Sequence, residues 1–281
     1  MQLKLPDGAL SLDRTVVMGV LNVTPDSFSD GGLWLDRDAA VKHGLQMVEE
    51  GAGIIDVGGE STRPGAAAVP ESEELQRVMG VIEDLAAITD VPISIDTRKP
   101  TVAARAIEAG ASVINDTAGE TSDRTMDSLA RDSRAAIVVM HSRGTPDTMR
   151  SLTDYRDVVG DVRAFLAGRA DELVSHDVDP GSIVLDPGIG FAKTPTQNLE
   201  LLKRFEEFYD IGFPILSGTS RKSFIGATLD LPEDQRVEGT IAAVVLSVIK
   251  GARIVRVHDV EANVRAVRMI EAVVSSGGAG H

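Results

Sequence analysis

Short continuous apolar segments recur along the chain, separated by longer segments with a helical spacing of apolar positions. The short segments do not alternate with polar residues, which is typical of parallel strands buried on both faces. Eight strands are predicted, at residues 15–21, 53–57, 92–95, 112–114, 136–140, 182–185, 214–216 and 253–257. Helices between them include 36–50, 71–87 and 155–176, and in the first of these Val41, Leu45 and Val48 form an apolar stripe that would face a sheet.

Eight successive strand and helix units predict an α/β fold of the (β/α)8 TIM-barrel type, with an open doubly wound sheet as the alternative. The barrel is preferred because polar residues follow all eight strands instead of clustering at one switch point. No linker or low-complexity stretch divides the chain, so a single barrel domain is predicted over 1–281, with a core of about 15–271. The Gly- and Ser-rich tail at 275–281 is expected to fray.

Composition narrows the classes of function. At 281 residues and 43% hydrophobic residues the chain can bury a large core, and the absence of cysteine excludes disulfides and thiol catalysis. The chain shows neither a signal peptide nor an apolar run of about 18 residues, and a cytoplasmic location is expected. The net charge of −15 argues against non-specific binding to nucleic acid or anionic membranes. An anionic ligand would therefore need local cations, for which the candidates are Arg63, Arg221, Lys222, Arg256 and His258.

Polar side chains stand at the ends of the predicted strands, where a barrel carries its active site. In chain order they are Asn22, Asp56, Asp96, Asn115 with Asp116, His141, Asp186, the segment Ser217–Ser223, and Arg256 with His258 and Asp259. Any single Asp or Asn there could simply cap the following helix, and Asp56 and Asp116 are expected to be structural. His141 and His258 could also be non-catalytic. Independent caps, however, would not place carboxylates and cations at nearly every strand end.

The residue types indicate the ligand. Asp96, Asn115 and Asp186 suit a flat heterocycle with an N–C(NH2)–N edge, because a buried carboxylate can accept two hydrogen bonds from it. Lys222 could bind a ring carbonyl or nitrogen, and Arg256 with His258 suits a phosphate or diphosphate. The segment Ser220–Ser223 is expected to open a helix whose free N–H groups favour an anion. The sequence contains no P-loop motif, no H-E-x-x-H zinc motif and no serine nucleophile elbow.

Two long segments carry a resemblance to a known family. Residues 18–32 read MGVLNVTPDSFSDGG and residues 56–65 read DVGGESTRPG. Shorter matches are Ile95-Asp96-Thr97, Ile114-Asn115-Asp116, Met140-His141, Asp186–Phe191, Ser220–Ser223 and Arg256–Asp259. With these motifs the chain resembles the dihydropteroate synthase family, the target of sulfonamides, over about 15–271. Ala192 stands where many members carry glycine, a difference expected to be neutral.

The resemblance implies a (β/α)8 barrel, usually a homodimer, that condenses a dihydropterin hydroxymethyl diphosphate with 4-aminobenzoate in a Mg2+-dependent reaction. It implies pterin binding by Asp96, Asn115, Asp186 and Lys222, and an aminobenzoate site at Phe28, Thr62, Pro64 and Ser223. It also implies diphosphate binding by Asn22, Arg63, Arg256 and His258, with Asn22 as a metal ligand. The catalytic group would comprise Asp30, Arg63, Lys222, Arg256 and His258, with Asp30 stabilising positive charge on the exocyclic CH2.

The implied chemistry agrees with these residue types. An aromatic amine is largely unprotonated at neutral pH, so it needs no strong general base, and the main task is to stabilise the departing diphosphate. Two alternatives remain: a catalytically silent pterin-binding paralogue, and a pterin-dependent methyltransferase domain. The first would be favoured by loss of Asn22, Lys222 or Arg256, all of which are present. The second would lack the loops expected to form an aminobenzoate site.

Overall fold

The structure is a computed structural model that describes residues 1–24, 33–61, 65, 66 and 68–276. Eight of its strands form one parallel sheet. These are β3 (Val16–Asn22), β4 (Ile54–Gly58), β5 (Ile93–Thr97), β6 (Val113–Asp116), β7 (Ala136–Met140), β8 (Ile183–Asp186), β9 (Leu216–Gly218) and β10 (Ile254–Val257). Two further strands, β1 (Gln2–Leu5) and β2 (Gly8–Ser11), form a separate antiparallel hairpin.

The strand order closes the sheet into a barrel. The order is β8-β7-β6-β5-β4-β3-β10-β9, so β3 and β10, the first and last strands of the sheet in sequence, are neighbours. A parallel bridge between Leu185 and Ile215 joins the two remaining edges, with the Leu185 amide donating to the Pro214 carbonyl at 3.0 Å. The predicted (β/α)8 barrel is confirmed, and the open doubly wound sheet is not observed.

Helices cover the outside of the barrel. They are α1 (Leu33–Glu49), α2 (Glu71–Ile88), α3 (Pro100–Glu108), α4 (Thr125–Ser133), α5 (Val158–Ser175), α6 (Pro195–Lys203), α7 (Ser223–Leu229), α8 (Val237–Ile249) and α9 (Val260–Ser275). The apolar stripe predicted on α1 packs against the core, with Val41 buried and Leu45 and Val48 partly buried. Within the described ranges, no helix is long and apolar enough to span a membrane.

The amino-terminal hairpin, which the sequence pattern did not predict, closes the lower end of the barrel. Leu3 of β1 and Leu12 just after β2 are fully buried. They pack in one cluster with inward-facing strand residues such as Met18, Val138 and Leu216. This end is filled by apolar side chains, whereas Asn22, Asp96 and Asn115 lie at the opposite end of their strands.

Most strands end later than predicted, and the difference concerns the polar residues. The expected strand ends left Asn22, Asp96 and Asn115 in loops, whereas the structure places them inside β3, β5 and β6. Their register is stepwise, with Asn22 paired to Gly58, Gly58 to Asp96, and Asp96 to Asn115. Strand hydrogen bonds therefore fix the backbone of each polar residue and bring neighbouring side chains together at the barrel mouth.

Candidate active site

An open cavity of about 1110 Å3 lies at the carboxyl ends of the strands. Its size suits a small-molecule substrate pair. The predicted site residues on its walls are Asn22, Asp96, Lys222, Ser223, Arg256 and His258. Other charged residues that line it are Glu60, Arg77, Arg150, Lys193, Arg221, Glu233 and Arg236. Cations are therefore concentrated here, although the chain as a whole is strongly acidic.

Arg256 connects two carboxylates across the barrel. Its Nε donates to Asp56 Oδ2 at 2.5 Å, and its Nη2 donates to Asp96 Oδ2 at 2.6 Å. The same Asp56 oxygen accepts from Asn115 Nδ2 at 3.1 Å. Asp56 is fully buried, as expected for a structural residue, but it acts on the site because it holds both Arg256 and Asn115. The two carboxylate partners of Arg256 were not predicted from the sequence.

Burial and the neighbouring charges have opposite effects on the pKa values of Asp96 and Arg256. Burial raises the pKa of Asp96 to about 7, although the Arg256 guanidinium beside it acts in the opposite direction. Burial alone would lower the pKa of Arg256, but the Asp56 and Asp96 carboxylates more than offset this and raise it. Asp96 can therefore change its protonation state near neutral pH, while Arg256 stays charged.

Lys222 lines the cavity, with the buried carboxylate of Asp186 near it. Asp186 Oδ1 accepts from the Gly188 amide at 2.7 Å, and burial raises the pKa of this carboxyl group. Burial lowers the pKa of Lys222 to about 8, against the attraction of Asp186. A Cβ built on Gly218 would lie 3.7 Å from Lys222 Nζ and 3.8 Å from Asp186 Oδ2. Both groups therefore lie close to Gly218, where the missing side chain leaves space beside them.

His258 and Arg221 lie at the rim. Ser220 Oγ accepts a hydrogen bond from the His258 amide at 3.1 Å and lies 3.0 Å from His258 Nδ1, which fixes the imidazole. Arg221, predicted as a local cation, instead pairs through its Nε with Asp259 at 3.0 Å. The predicted helix start at 220–223 is observed, because α7 begins at Ser223.

His141 is a buried structural group in this arrangement. Only 1% of it is exposed, and its ring packs edge-on against Phe165 at 5.0 Å. Burial, helped by the neighbouring Lys193, lowers its pKa to about 2, so the imidazole stays neutral. Asp116 accepts from the Ala118 amide at 3.0 Å and from the Ser122 hydroxyl, as expected for a residue that stabilises a turn.

Sequence reasoning missed Lys193. Its ammonium is buried among carbonyl groups of the loop that follows Asp186. In the sequence it is a lysine two positions after the loop residue Phe191, and the pattern of polar strand ends does not reveal it because it does not stand at a strand end. Ala192, where glycine is common, has φ +48°, which explains why a residue without a side chain is favoured there.

Several predicted residues lie outside the described residues, and their roles stay predictions. They are Phe28, Asp30, Thr62, Arg63 and Pro64. Within the part of the chain that the structure describes, no group of three His, Asp or Glu side chains could hold a metal ion. Asn22, the predicted metal ligand, contributes a single amide oxygen. This oxygen and the Asp96 carboxylate both lie close to Gly58.

The barrel and its site are matched by known proteins. A family model described as "Pterin binding enzyme" matches residues 18–258. The dihydropteroate synthase of Bacillus subtilis is 48% identical over 96% of this chain and 92% of its own. A solved dihydropteroate synthase from Xanthomonas albilineans with 4-aminobenzoic acid has a TM-score of 0.91 and 43% identity, covering 98% of each chain. Another from that organism, in complex with 7,8-dihydropteroate, has a TM-score of 0.89 and 40% identity, covering 98% of this chain and 99% of its own.

The fold and the polar mouth thus define a pterin-binding enzyme of the barrel type. The identity of 48% to the Bacillus subtilis enzyme, over nearly the full length of both chains, identifies the family within this class. The chain belongs to the dihydropteroate synthase family, whose members are transferases of folate biosynthesis.

Proposed function

We propose that this chain condenses 6-hydroxymethyl-7,8-dihydropterin diphosphate with 4-aminobenzoate to give 7,8-dihydropteroate and diphosphate. The observation that carries the proposal is the mouth itself, where Asp96, Lys222 and Arg256 line one cavity. Asn115 is bonded to Asp56 beside Arg256, and the Asp186 carboxylate lies close to Gly218 on the cavity wall. Two structures of relatives, one with 4-aminobenzoic acid and one with 7,8-dihydropteroate, support the choice of substrates.

In this proposal the pterin ring lies between the two carboxylates. Asp96 and Asp186 accept from its N–C(NH2)–N edge, and a charged carboxylate makes such bonds stronger than neutral acceptors do. Asn115, held through Asp56, supplies an amide group, and protonated Lys222 donates to a ring oxygen or nitrogen. Arg256 orients Asp96 and presents its positive charge to the cavity.

The reaction breaks the bond between the exocyclic CH2 and the diphosphate oxygen and forms a bond from that carbon to the aminobenzoate nitrogen. The amine loses one proton to solvent as the new bond forms. Positive charge near the leaving group stabilises the departing diphosphate. Arg256 and His258 lie on the cavity wall, and in this proposal they take that role together with Arg63. Phe28, Thr62, Pro64 and Ser223 would contact the aminobenzoate, and Asp30 would stabilise charge on the CH2.

Mg2+ fits this site as an ion brought in with the substrate. In proteins Mg2+ is commonly held by one or two protein oxygens, water and substrate phosphates, and Asn22 supplies one such oxygen on the cavity wall. The ion would neutralise charge on the diphosphate. We also propose that the enzyme acts in the cytoplasm as a homodimer. Exposed apolar side chains on α8 and α9, including Ile249 at 55% and Met269 at 65%, support the dimer.

The test is diphosphate release from the dihydropterin diphosphate, with and without 4-aminobenzoate, first in Mg2+ and then in EDTA. Release that depends on both aminobenzoate and Mg2+, with dihydropteroate formed, is the expected result. Pterin binding without release under any condition would overturn the proposal and favour a silent paralogue. If diphosphate release is unchanged in EDTA, the proposed role of Mg2+ is wrong, but the proposed condensation is not affected.

A further inference from the structure

Lys193 is buried in a cage of neutral acceptors. Its side chain begins just after the loop 188–192, and only 8% of the residue is exposed. The ammonium Nζ lies 2.9 Å from the Gly188 carbonyl, 2.9 Å from the Phe191 carbonyl and 3.0 Å from His141 Nδ1. A buried lysine usually pairs with a carboxylate, whereas these three partners carry no charge.

The cage supplies acceptors for every donor of an ammonium group. An ammonium has three N–H donors, which the two carbonyls and the imidazole nitrogen can accept, and the His141 carbonyl is a fourth, more distant acceptor at 3.4 Å. Burial and Lys193 lower the pKa of His141 to about 2, so its ring is neutral, and the tautomer with the proton on Nε2 leaves Nδ1 to accept from Lys193. Burial also lowers the pKa of Lys193 well below its ordinary value, against the attraction of Asp186, which shows that the position is unfavourable for a charge.

The loop 188–192 is tightly folded. Gly188, Gly190 and Ala192 all have positive φ, at +65°, +89° and +48°. A Cβ on Gly188 would lie 1.9 Å from the His141 carbonyl oxygen, so the loop passes directly over β7. Lys193 ties the loop at both ends, since it binds the carbonyls of residues 188 and 191.

This loop contacts Lys222 through three of its residues. Lys222 Nζ donates to the Ile189 carbonyl, and the same nitrogen lies 4.5 Å from the centre of the Phe191 ring. The side chain lies against Gly190, where an added Cβ would be 2.7 Å from Lys222 Cδ. The position of the Lys222 ammonium therefore follows from the shape of the loop.

We propose that Lys193 is a positioning residue that acts through the loop 188–192 and sets where the Lys222 ammonium meets the pterin ring. The inference rests on the proposed function, in which Lys222 binds that ring. Lys193 does so by holding the carbonyl groups of the loop. The amide groups are held separately, by Asp186 at Gly188 and by Asn198 at Gly190, each at 2.7 Å. A variant without the Lys193 amine thus keeps two anchors and is expected to fold.

The first experiment compares Lys193→Met with Lys203→Met, a control that removes a lysine with 77% of its side chain exposed. Binding of the dihydropterin diphosphate is measured by calorimetry between about pH 6 and pH 10, with thermal unfolding recorded in parallel. We expect Lys193→Met to bind about tenfold more weakly at neutral pH, the effect of losing one hydrogen bond to a charged group. Lys203→Met should bind like the wild type.

The pH dependence separates positioning from simple stabilisation. Lys222, with a pKa of about 8, faces Asp186, Asp96 and Arg256, and wild-type binding should weaken as the pH rises through that value. If the loop relaxes in Lys193→Met, water reaches Lys222 and its pKa rises. The loss of binding at alkaline pH then moves to higher pH. The proposal would be overturned if Lys193→Met melts at a lower temperature but keeps the wild-type affinity for the pterin diphosphate and the wild-type pH dependence of binding above neutral pH.

A chemical restoration tests the amine itself. The chain has no cysteine, so Lys193→Cys introduces a single reactive thiol. Alkylation in denaturant with 2-bromoethylamine, followed by refolding, recreates a lysine-like side chain, whereas 1-iodopropane gives the same shape without the amine. Tighter binding by the aminoethylated protein alone is expected. Equal binding by both products would overturn the proposal, and a wild type that fails to bind the pterin would instead overturn the proposed function.

Discussion

At the scale of single residues, Asp96 differs from an ordinary carboxylate because its pKa of about 7 lies within the working range of pH. The ionised form accepts two donors from a pterin edge, and protonation removes that capacity. Wild-type affinity for the pterin substrate should therefore fall as the pH decreases through about 7. Asp96→Asn should bind about 10–100-fold more weakly, the effect of one or two charge-assisted hydrogen bonds.

The measurement for Asp96→Asn is a titration of the pterin diphosphate by fluorescence or calorimetry across this pH range. The step near neutral pH should disappear in the variant. If the step persists unchanged, it belongs to another group, for which Asp186 is the candidate because burial raises its pKa as well.

Asp56 offers a second prediction, because it supports the site without lining the cavity among the described wall residues. Asp56→Asn should destabilise the protein by about 2 kcal/mol, less than a fully broken buried pair, since Arg256 keeps Asp96. It should also reduce kcat/KM about 100-fold, because Arg256 and Asn115 lose their common anchor.

The matched control is Asp127→Asn. Asp127 is equally buried and pairs with Arg169, which also keeps a second carboxylate at Glu172, but this group joins α4 to α5. Urea unfolding should show similar losses of stability in both variants. Kinetics of the folded proteins should show a large loss of activity for Asp56→Asn alone, and equal activities would show that Asp56 contributes only stability.

The sequence predicted the residues that stand at strand ends, because period and position along the chain reveal them. It could not predict that Arg256, 160 positions from Asp96, holds that carboxylate, since the pairing depends on closure of the barrel. Nor could it separate Lys193 from surface lysines, because the local pattern around it resembles the start of an exposed helix. Closure of the barrel decides the first case, and burial of Lys193 against its own loop and His141 decides the second.

At the scale of elements, a charge network links the segment after β4, helix α2 and the residue that precedes α3. Lys99, which precedes α3, donates to Glu60 at 2.8 Å and also binds Glu74 of α2, whose side chain is fully buried. Glu74 further accepts from Thr97 at 2.7 Å, and Glu60 accepts from the Val69 amide at 2.8 Å. The network thus fixes the start of the segment between β4 and α2, where Glu60 lines the cavity.

Lys99→Met should destabilise the protein by about 3 kcal/mol, because two carboxylates, one fully buried, lose their shared cation. The double variant Lys99→Met with Glu74→Gln should recover part of that loss, since the neutral amide can still accept from Thr97. A double-mutant cycle in urea measures the coupling. Losses that simply add would show that Lys99 and Glu74 do not interact.

The positions of the elements could be predicted from the sequence better than their boundaries. The eight strands were placed correctly because apolar runs mark them, but their polar last residues were assigned to loops. The hairpin of β1 and β2 was missed because its four-residue strands bury few side chains. Its role becomes visible only when Leu3 is seen filling the barrel from below.

At the scale of the whole molecule, the proposed homodimer combines an apolar face with strong like charge. Ile249 of α8 and Met269 of α9 are more than half exposed, and α8 and α9 are neighbours in the fold. Ile249→Lys should shift the protein from dimer to monomer in analytical ultracentrifugation. Ile88→Lys, at an equally exposed isoleucine that ends α2, should leave the dimer intact. Dissociation by both substitutions, or by neither, would place the interface elsewhere.

Salt gives an independent test of that dimer. Each chain carries a net charge of −15, so two chains repel one another, and ions screen this repulsion over about 10 Å at 0.1 M. Burial of apolar surface is not weakened by such screening. The dimer should therefore tighten when the salt concentration rises from about 0.02 M to 0.5 M. An interface formed mainly by ion pairs would weaken over the same range, and sedimentation at both concentrations distinguishes the two.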